Sequence, residues 1–223
     1  AMHFSLDAVR KAKEKGITVS CDLNYRKNLW KYGKEPSEVM GELAKYVDIA
    51  IANDGRSNKT IKRKADKNRG DDQMPLKLMY ITNSEDVAHI AEEAGVDRIF
   101  VDMEYIGKTD RQGGMDTVQS RHTADDVRRL AQCLNKSELF VRVNPIHEKT
   151  DKYSSSKEEI DEVIEAGADL LMLPYFKTAE EVQTFVKYVD GRAKTVLLVE
   201  TPEAAAIAEN LVKIPGIDEM FIG

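Results

Sequence analysis

Side chains able to do chemistry gather at the ends of apolar runs in the second half of the chain. RIFVDME (98–104) ends on Asp102 and Glu104, and LFVRVNP (139–145) carries Arg142 and Asn144. LLMLPY (170–175) ends on Tyr175 and TVLLVET (195–201) reaches Glu200. A guanidinium among carboxylates is costly to bury unless the groups pair or hold a ligand. Such a set suits a small anionic substrate with a divalent metal. A ring of purely structural ion pairs is the other reading of the same residues.

The elements that must position these groups follow a regular rhythm after Met74. Strand-like runs at 76–82, 98–104, 139–145, 170–175, 195–201 and 220–223 alternate with helical stretches. Four of the helices open with a capping Ser or Thr and a nearby acid: Ser84/Asp86, Thr123/Asp126, Ser156/Glu159 and Thr178/Glu181. Gly95 and Gly167 stand where helices should stop. The strands are apolar almost throughout, which predicts burial on both faces of a parallel sheet. Strict alternation of strand and helix predicts a (β/α)₈ barrel, whose working side chains project from the carboxyl ends of the strands. A doubly wound sheet is the alternative, but no glycine-rich phosphate loop follows the first strand. With six strands in 76–223, the predicted fold class is α/β: an incomplete TIM-type barrel, six of eight strands, with an exposed edge.

The first 75 residues differ. A helix over 5–16, a strand over 17–26, a helix over 36–47 and a strand over 48–53 make a short α/β fragment. Residues 54–73 are basic, with Lys59, Lys62, Arg63, Lys64, Lys67 and Arg69 and no visible period, and predict a disordered linker. A nucleic-acid patch is the sharper alternative, but no aromatic is interleaved. The expected division is 1–53, 54–75 and 76–223. The composition is 42% hydrophobic and 32% charged with net charge −6, which argues against nucleic acid or an anionic membrane as partner. No apolar run suggests a membrane span, and the cytoplasm is the expected compartment. Cys21 and Cys133 have no metal-ligand spacing and are expected to be buried thiols.

VDMEYIG (101–107), VRVNP (141–145), LMLPYFKTAEEV (171–182) and VETPEA (199–204) resemble the HpcH/HpaI aldolase and citrate lyase β-subunit family. The resemblance implies carbon–carbon bond cleavage or formation through an enolate held on Mg²⁺, Mn²⁺ or another divalent cation. It places Glu200 as the first metal carboxylate, Arg142 on the keto acid and its enolate, and Asn144, Pro174 and Tyr175 in the substrate pocket. It implies a 2-keto acid or CoA-thioester substrate and a homo-oligomer. Two departures stand out. Tyr105 occupies the place of the usual catalytic histidine, so His122 and Glu104 become the candidates for proton transfer. The family's second metal carboxylate follows the glycine that ends the sixth strand, here Gly223, so impaired catalysis is expected.

VSCDLNYRKNLW (19–30) and VDIAIAN (47–53) resemble PfkB-type sugar kinases, most closely 2-keto-3-deoxygluconate kinases, with Asn24 and Arg26 at the sugar-acid pocket. The kinase's lid and anion hole are absent, so no kinase activity is expected from this piece. The expected function is a metal-dependent carbon–carbon lyase on a 2-keto acid. The alternatives are a non-catalytic fusion remnant and a fragment that binds a sugar acid.

Overall fold

The computed structural model describes residues 10–22, 48–51, 77–107 and 122–222. Eight parallel strands close into a barrel in chain order: β1 (Thr18–Asp22), β2 (Ile49–Ile51), β3 (Lys77–Ile81), β4 (Arg98–Asp102), β5 (Glu138–Arg142), β6 (Leu170–Leu173), β7 (Lys194–Val199) and β8 (Glu219–Ile222). The helices are α1 (Glu85–Glu93), α2 (Ala124–Cys133), α3 (Ser156–Glu165), α4 (Ala179–Val189), α5 (Pro202–Ala206) and α6 (Ala208–Leu211).

All six strands expected in 76–223 form, as β3 to β8, and the TIM-type α/β architecture holds. The exposed edge does not form. β1 pairs β8 from Thr18↔Glu219 to Cys21↔Ile222, and β2 joins β1 to β3 through Ser20↔Ile49 and Ile49↔Lys77. Residues read as part of a separate kinase-like fragment thus complete the ring. Strand pairing is made by main-chain groups, and the apolar pattern of a strand carries no mark of its neighbour. The helix expected over 5–16 is present over 10–14, with Ala12 buried and Lys13 salt-bridged to Asp48 at 2.7 Å. The helix expected over 36–47 and the linker over 54–75 lie outside the described residues.

Alternation along the strands makes two cores. Met79, Phe100, Phe140, Leu170, Met172, Val196, Leu198 and Phe221 form a cluster with no helix residue, the filling of the barrel itself. Phe100 and Phe140 stack there with centroids 5.1 Å apart. The alternate residues, such as Ile99, Val101, Val141, Leu171 and Leu197, pack outward against Val127, Leu130, Ile160, Val182 and Phe185 of the helices.

The amino-terminal face is closed by an ion network. Arg98 Nη1 donates to both Glu219 oxygens at 3.0 and 2.8 Å, and its Nε donates to Glu138 at 2.9 Å. Burial works against the Arg98 charge, and Glu219 and then Glu138 outweigh it, raising its pKa. Glu138 is opposed by burial as well, yet Lys194 and Arg98 hold its carboxyl down at about 2. In this fold that face serves stability.

The predicted caps hold in part. Thr123/Asp126 and Thr178/Glu181 form reciprocal capping boxes, and the Ser84 hydroxyl accepts the Val87 N–H. The fourth fails: α3 is capped by Ser155, which makes no side-chain cap bond, and Glu159 turns inward. Gly95 (φ 88) and Gly167 (φ 106) do end their helices in the left-handed region. Cys133 is a free, half-buried thiol, its pKa pushed up chiefly by burial; it is less enclosed than expected. The side chain of Cys21 lies outside the described residues. Among the described residues no helix is long and apolar enough to cross a membrane.

Candidate functional site

The barrel register sets Asp102 at the end of β4 directly beside Arg142 at the end of β5. The guanidinium makes a two-pronged bond, Nε to Asp102 Oδ1 at 2.8 Å and Nη2 to Oδ2 at 2.7 Å. Glu104 Oε2 lies 3.5 Å from the same Nε. Asp102 and Glu104 are 4% and 3% exposed, while the Arg142 side chain keeps 19% at the mouth. Its guanidinium carbon sits 5.8 Å from the Phe100 ring centre, the roof of the barrel filling. Burial pulls the Arg142 pKa down, but the Asp102 hydrogen bond and the fields of Asp102, Glu104 and Glu200 overcome it and raise it further. The result is a fixed cation held by carboxylates at the carboxyl end of the barrel.

Next around the ring, β6 and β7 bring Pro174, Tyr175 and Glu200 together. The Tyr175 N–H donates to Glu200 Oε1 at 3.0 Å, and the Thr201 hydroxyl donates to the Phe176 carbonyl at 3.0 Å. Tyr175 has φ 49, a left-handed conformation that costs a non-glycine residue about 1 kcal/mol or more. Lys177 Nζ stands 5.1 Å from the Tyr175 ring centre. Pro174 is buried, whereas Glu200 is exposed.

His122 reaches the same cluster by a different route. The Asp102 N–H donates to His122 Nδ1 at 3.0 Å. An Nδ1 that accepts an amide proton leaves the ring's hydrogen on Nε2. In this tautomer His122 can donate a hydrogen bond from Nε2, whereas its basic lone pair is engaged by the backbone. Tyr105, in the place of the usual histidine, is 48% exposed, with its hydroxyl 3.5 Å from Thr150 Oγ1.

Asn144 faces the protein rather than the mouth. It is 2% exposed, and its Oδ1 accepts the N–H groups of Tyr105 at 2.9 Å and Ile106 at 3.0 Å. Its own N–H and Nδ2 donate to Glu159 Oε1 at 3.1 and 2.8 Å. Glu159 also meets His147 Nε2 at 2.9 Å. Glu159, expected from the sequence as a capping acid, instead joins His147 and Asn144 behind the site's loop. His89 is a surface residue 3.3 Å from Glu93. Asn24 and Arg26 lie outside the described residues.

For a divalent cation the described donors fall short. Glu200 offers hard oxygen ligands, but Asp102 and Glu104 are engaged by Arg142, and no group of three His, Cys, Asp or Glu among the described residues could hold a metal. One carboxylate does not make a tight Mg²⁺ site, so the described residues alone do not fit the metal.

Residues 77–223, well over half of the chain, match the HpcH/HpaI aldolase/citrate lyase family. The chain belongs to that family. Every residue of the mouth cluster lies inside the matched region, and β1 and β2 lie before it. No curated protein matches the chain. Among solved structures the fold is similar to an aldolase, QR15 (15% identity, 93% of this chain and 90% of that one, TM-score 0.51). It is also similar to 2,3-dimethylmalate lyase of the PEP mutase/isocitrate lyase superfamily (14% identity, 98% and 80%, TM-score 0.53). KGPDC from Streptococcus mutans has the same fold (10% identity, 93% and 87%, TM-score 0.52). Nothing in these comparisons supports the kinase resemblance of 5–53.

Proposed function

We propose that this HpcH/HpaI family member makes or breaks the C3–C4 bond of a 2-keto acid, one carbon beyond the keto group. The single observation that carries this reading is the Arg142 guanidinium, fixed by Asp102 and Glu104 at the carboxyl-end mouth within the field of Glu200. Asp102 occupies Nε and one Nη2 hydrogen, and the side chain remains 19% exposed toward the mouth. A keto acid placed there finds a cation already oriented, with no reorganisation required as charge develops. In the cleavage direction the 4-hydroxyl loses its proton, the C3–C4 bond breaks, and its electron pair becomes the enolate of pyruvate. Arg142 would stabilise the enolate oxygen, a contribution of about 3 to 4 kcal/mol for a pre-aligned donor. Glu104 would take the proton lost from the hydroxyl and return it at C3, with the neutral His122 offering a hydrogen bond from Nε2 rather than a proton. A CoA thioester in place of the keto acid would use the same cation on its carbonyl oxygen.

The test is pyruvate release from 4-hydroxy-2-keto acids, followed with and without Mg²⁺ or Mn²⁺. Release is expected to fall in Glu200→Ala, which removes the carboxylate that takes the Tyr175 N–H at the mouth, and to fall roughly 100-fold or more in Arg142→Lys. Release unchanged by either substitution would overturn the reading. No release under any cation would leave a family member that keeps the pocket without turnover.

A further inference from the structure

A buried chain of side chains runs from α3 to the loop that follows β4, and the proposed chemistry makes no use of it. At its inner end stands Asn144, whose Oδ1 accepts both the Tyr105 and the Ile106 N–H. Those amides belong to the turn directly after Glu104. Asn144 is in turn held by Glu159 Oε1, which takes its backbone N–H and its Nδ2. The second oxygen of Glu159 meets His147 Nε2 at 2.9 Å. His147 Nδ1 lies 2.6 Å from the Glu148 carbonyl oxygen. Glu159 is 1% exposed and the His147 side chain 7%.

We propose that Glu159 and His147 are positioning residues, which through Asn144 hold the loop after β4, and with it Glu104, in the geometry that the Arg142 cluster requires. This rests on the reading of that cluster as an enolate site. The logic is one of donors and acceptors. A carbonyl oxygen and a carboxylate face the two imidazole nitrogens, so both nitrogens must carry hydrogen and His147 must be the cation. Loss of one proton sets two acceptors against each other at hydrogen-bond distance, and the group freed to move is the one that holds Asn144. A buried carboxylate without its cation is costly, so the strain passes along the chain instead of dissipating in solvent.

The two carboxylates acting on His147 favour its cation: Glu148 on its own loop and Glu159 from α3. The Tyr153 ring is 6.4 Å away, with its hydroxyl donating to Glu162 at 2.7 Å and Lys152 4.8 Å above its face. The Glu159 hydrogen bond raises the His147 pKa above 6.5 against the opposing effect of burial, with Glu148 adding to the rise. A raised histidine pKa means the arrangement is complete below about 6.5 and is lost as pH climbs through the folded value.

The experiment is amide hydrogen exchange at Tyr105 and Ile106 in the full chain between pH 5.5 and 8.5, corrected for intrinsic rates, with Val141 in β5 as the reference. In the wild type, protection of the two amides is expected to drop about tenfold as His147 loses its proton, the effect of weakening one hydrogen bond. Val141 should not change. In His147→Gln the amide group donates to Glu159 at every pH, so protection should be kept and the pH step should vanish. In Glu159→Gln the step should vanish as well. The wild-type series needs no variant to fold. Equal protection of Tyr105 and Ile106 across the range overturns the proposal. Deuteration of the pyruvate methyl group in D₂O, followed in the same samples, reports separately on the enolate reading. If the amides respond as expected and pyruvate stays protonated, the enolate reading fails while the positioning chain stands.

Discussion

Removing the cation from the mouth should be expensive, and the structure says by how much. Arg142→Met keeps most of the side-chain volume and its contact with Phe100, but takes the guanidinium away from Asp102 and Glu104, which are 4% and 3% exposed. Breaking one side of a buried pair costs about 3 to 5 kcal/mol, mostly the burden of the stranded charge. The 19% exposure of Arg142 shows that water can reach this end of the barrel, which puts the expectation at about 2 to 4 kcal/mol. Asp102→Asn in the same background removes the charge that the guanidinium was holding and should recover about half of the loss. The assay is urea unfolding of the wild type, the two single variants and the double variant, at fixed ionic strength, with slopes compared to exclude a change of unfolded state. A loss below about 1 kcal/mol in Arg142→Met, or no coupling between the two positions, would refute the claim that the cluster is a buried, mutually dependent unit.

Further expectations concern the scaffold. Glu138 is held at about 2 against 4.5 for an ordinary glutamate, so its contribution is present above pH 4.5 and disappears as pH falls through about 2. The nominal shift, discounted because the side chain is a quarter exposed, gives about 2 kcal/mol at neutral pH. Glu138→Gln should therefore be less stable than the wild type by that amount at pH 7, with the gap closing between pH 4.5 and 2 in acid unfolding curves. Gly167→Ala should cost about 2 to 4 kcal/mol, because φ is 106 and a new Cβ would stand 2.7 Å from the Ala131 Cβ. Adding Ala131→Gly should return only part of this, since the clash is relieved and the backbone strain remains; full recovery in thermal melts would contradict that division.

Much of this was legible in the residues. β3 to β8 could be read because strands buried on both faces write themselves as near-continuous apolar runs. Asp102, Arg142 and Glu200 could be read because charges at the ends of such runs have few places to go. What could not be read depended on neighbours or on fine register. β1 and β2 close the ring through main-chain bonds that any short extended segment can make. Glu159 was hidden by the serine run 154–156, which offers three caps. Choosing Ser156 instead of Ser155 moves Glu159 from the fourth helical position to the third, and one residue turns a helical side chain by about 100°. That step separates a solvent-facing capping acid from a buried carboxylate that holds Asn144 and His147. The tautomer of His122 likewise depends on its approach to the Asp102 amide, which no local pattern encodes.

The central claim is that Arg142 holds a keto acid as its enolate forms. Its most direct measurement is the rate at which pyruvate exchanges its methyl protons in D₂O, by NMR, with Mg²⁺ or Mn²⁺ present. The account predicts exchange above the buffer rate with the wild type and a loss of roughly 100-fold with Arg142→Lys, which keeps the charge but not the two-pronged geometry. Exchange at the buffer rate in the wild type, or exchange equal in the two proteins, would contradict it.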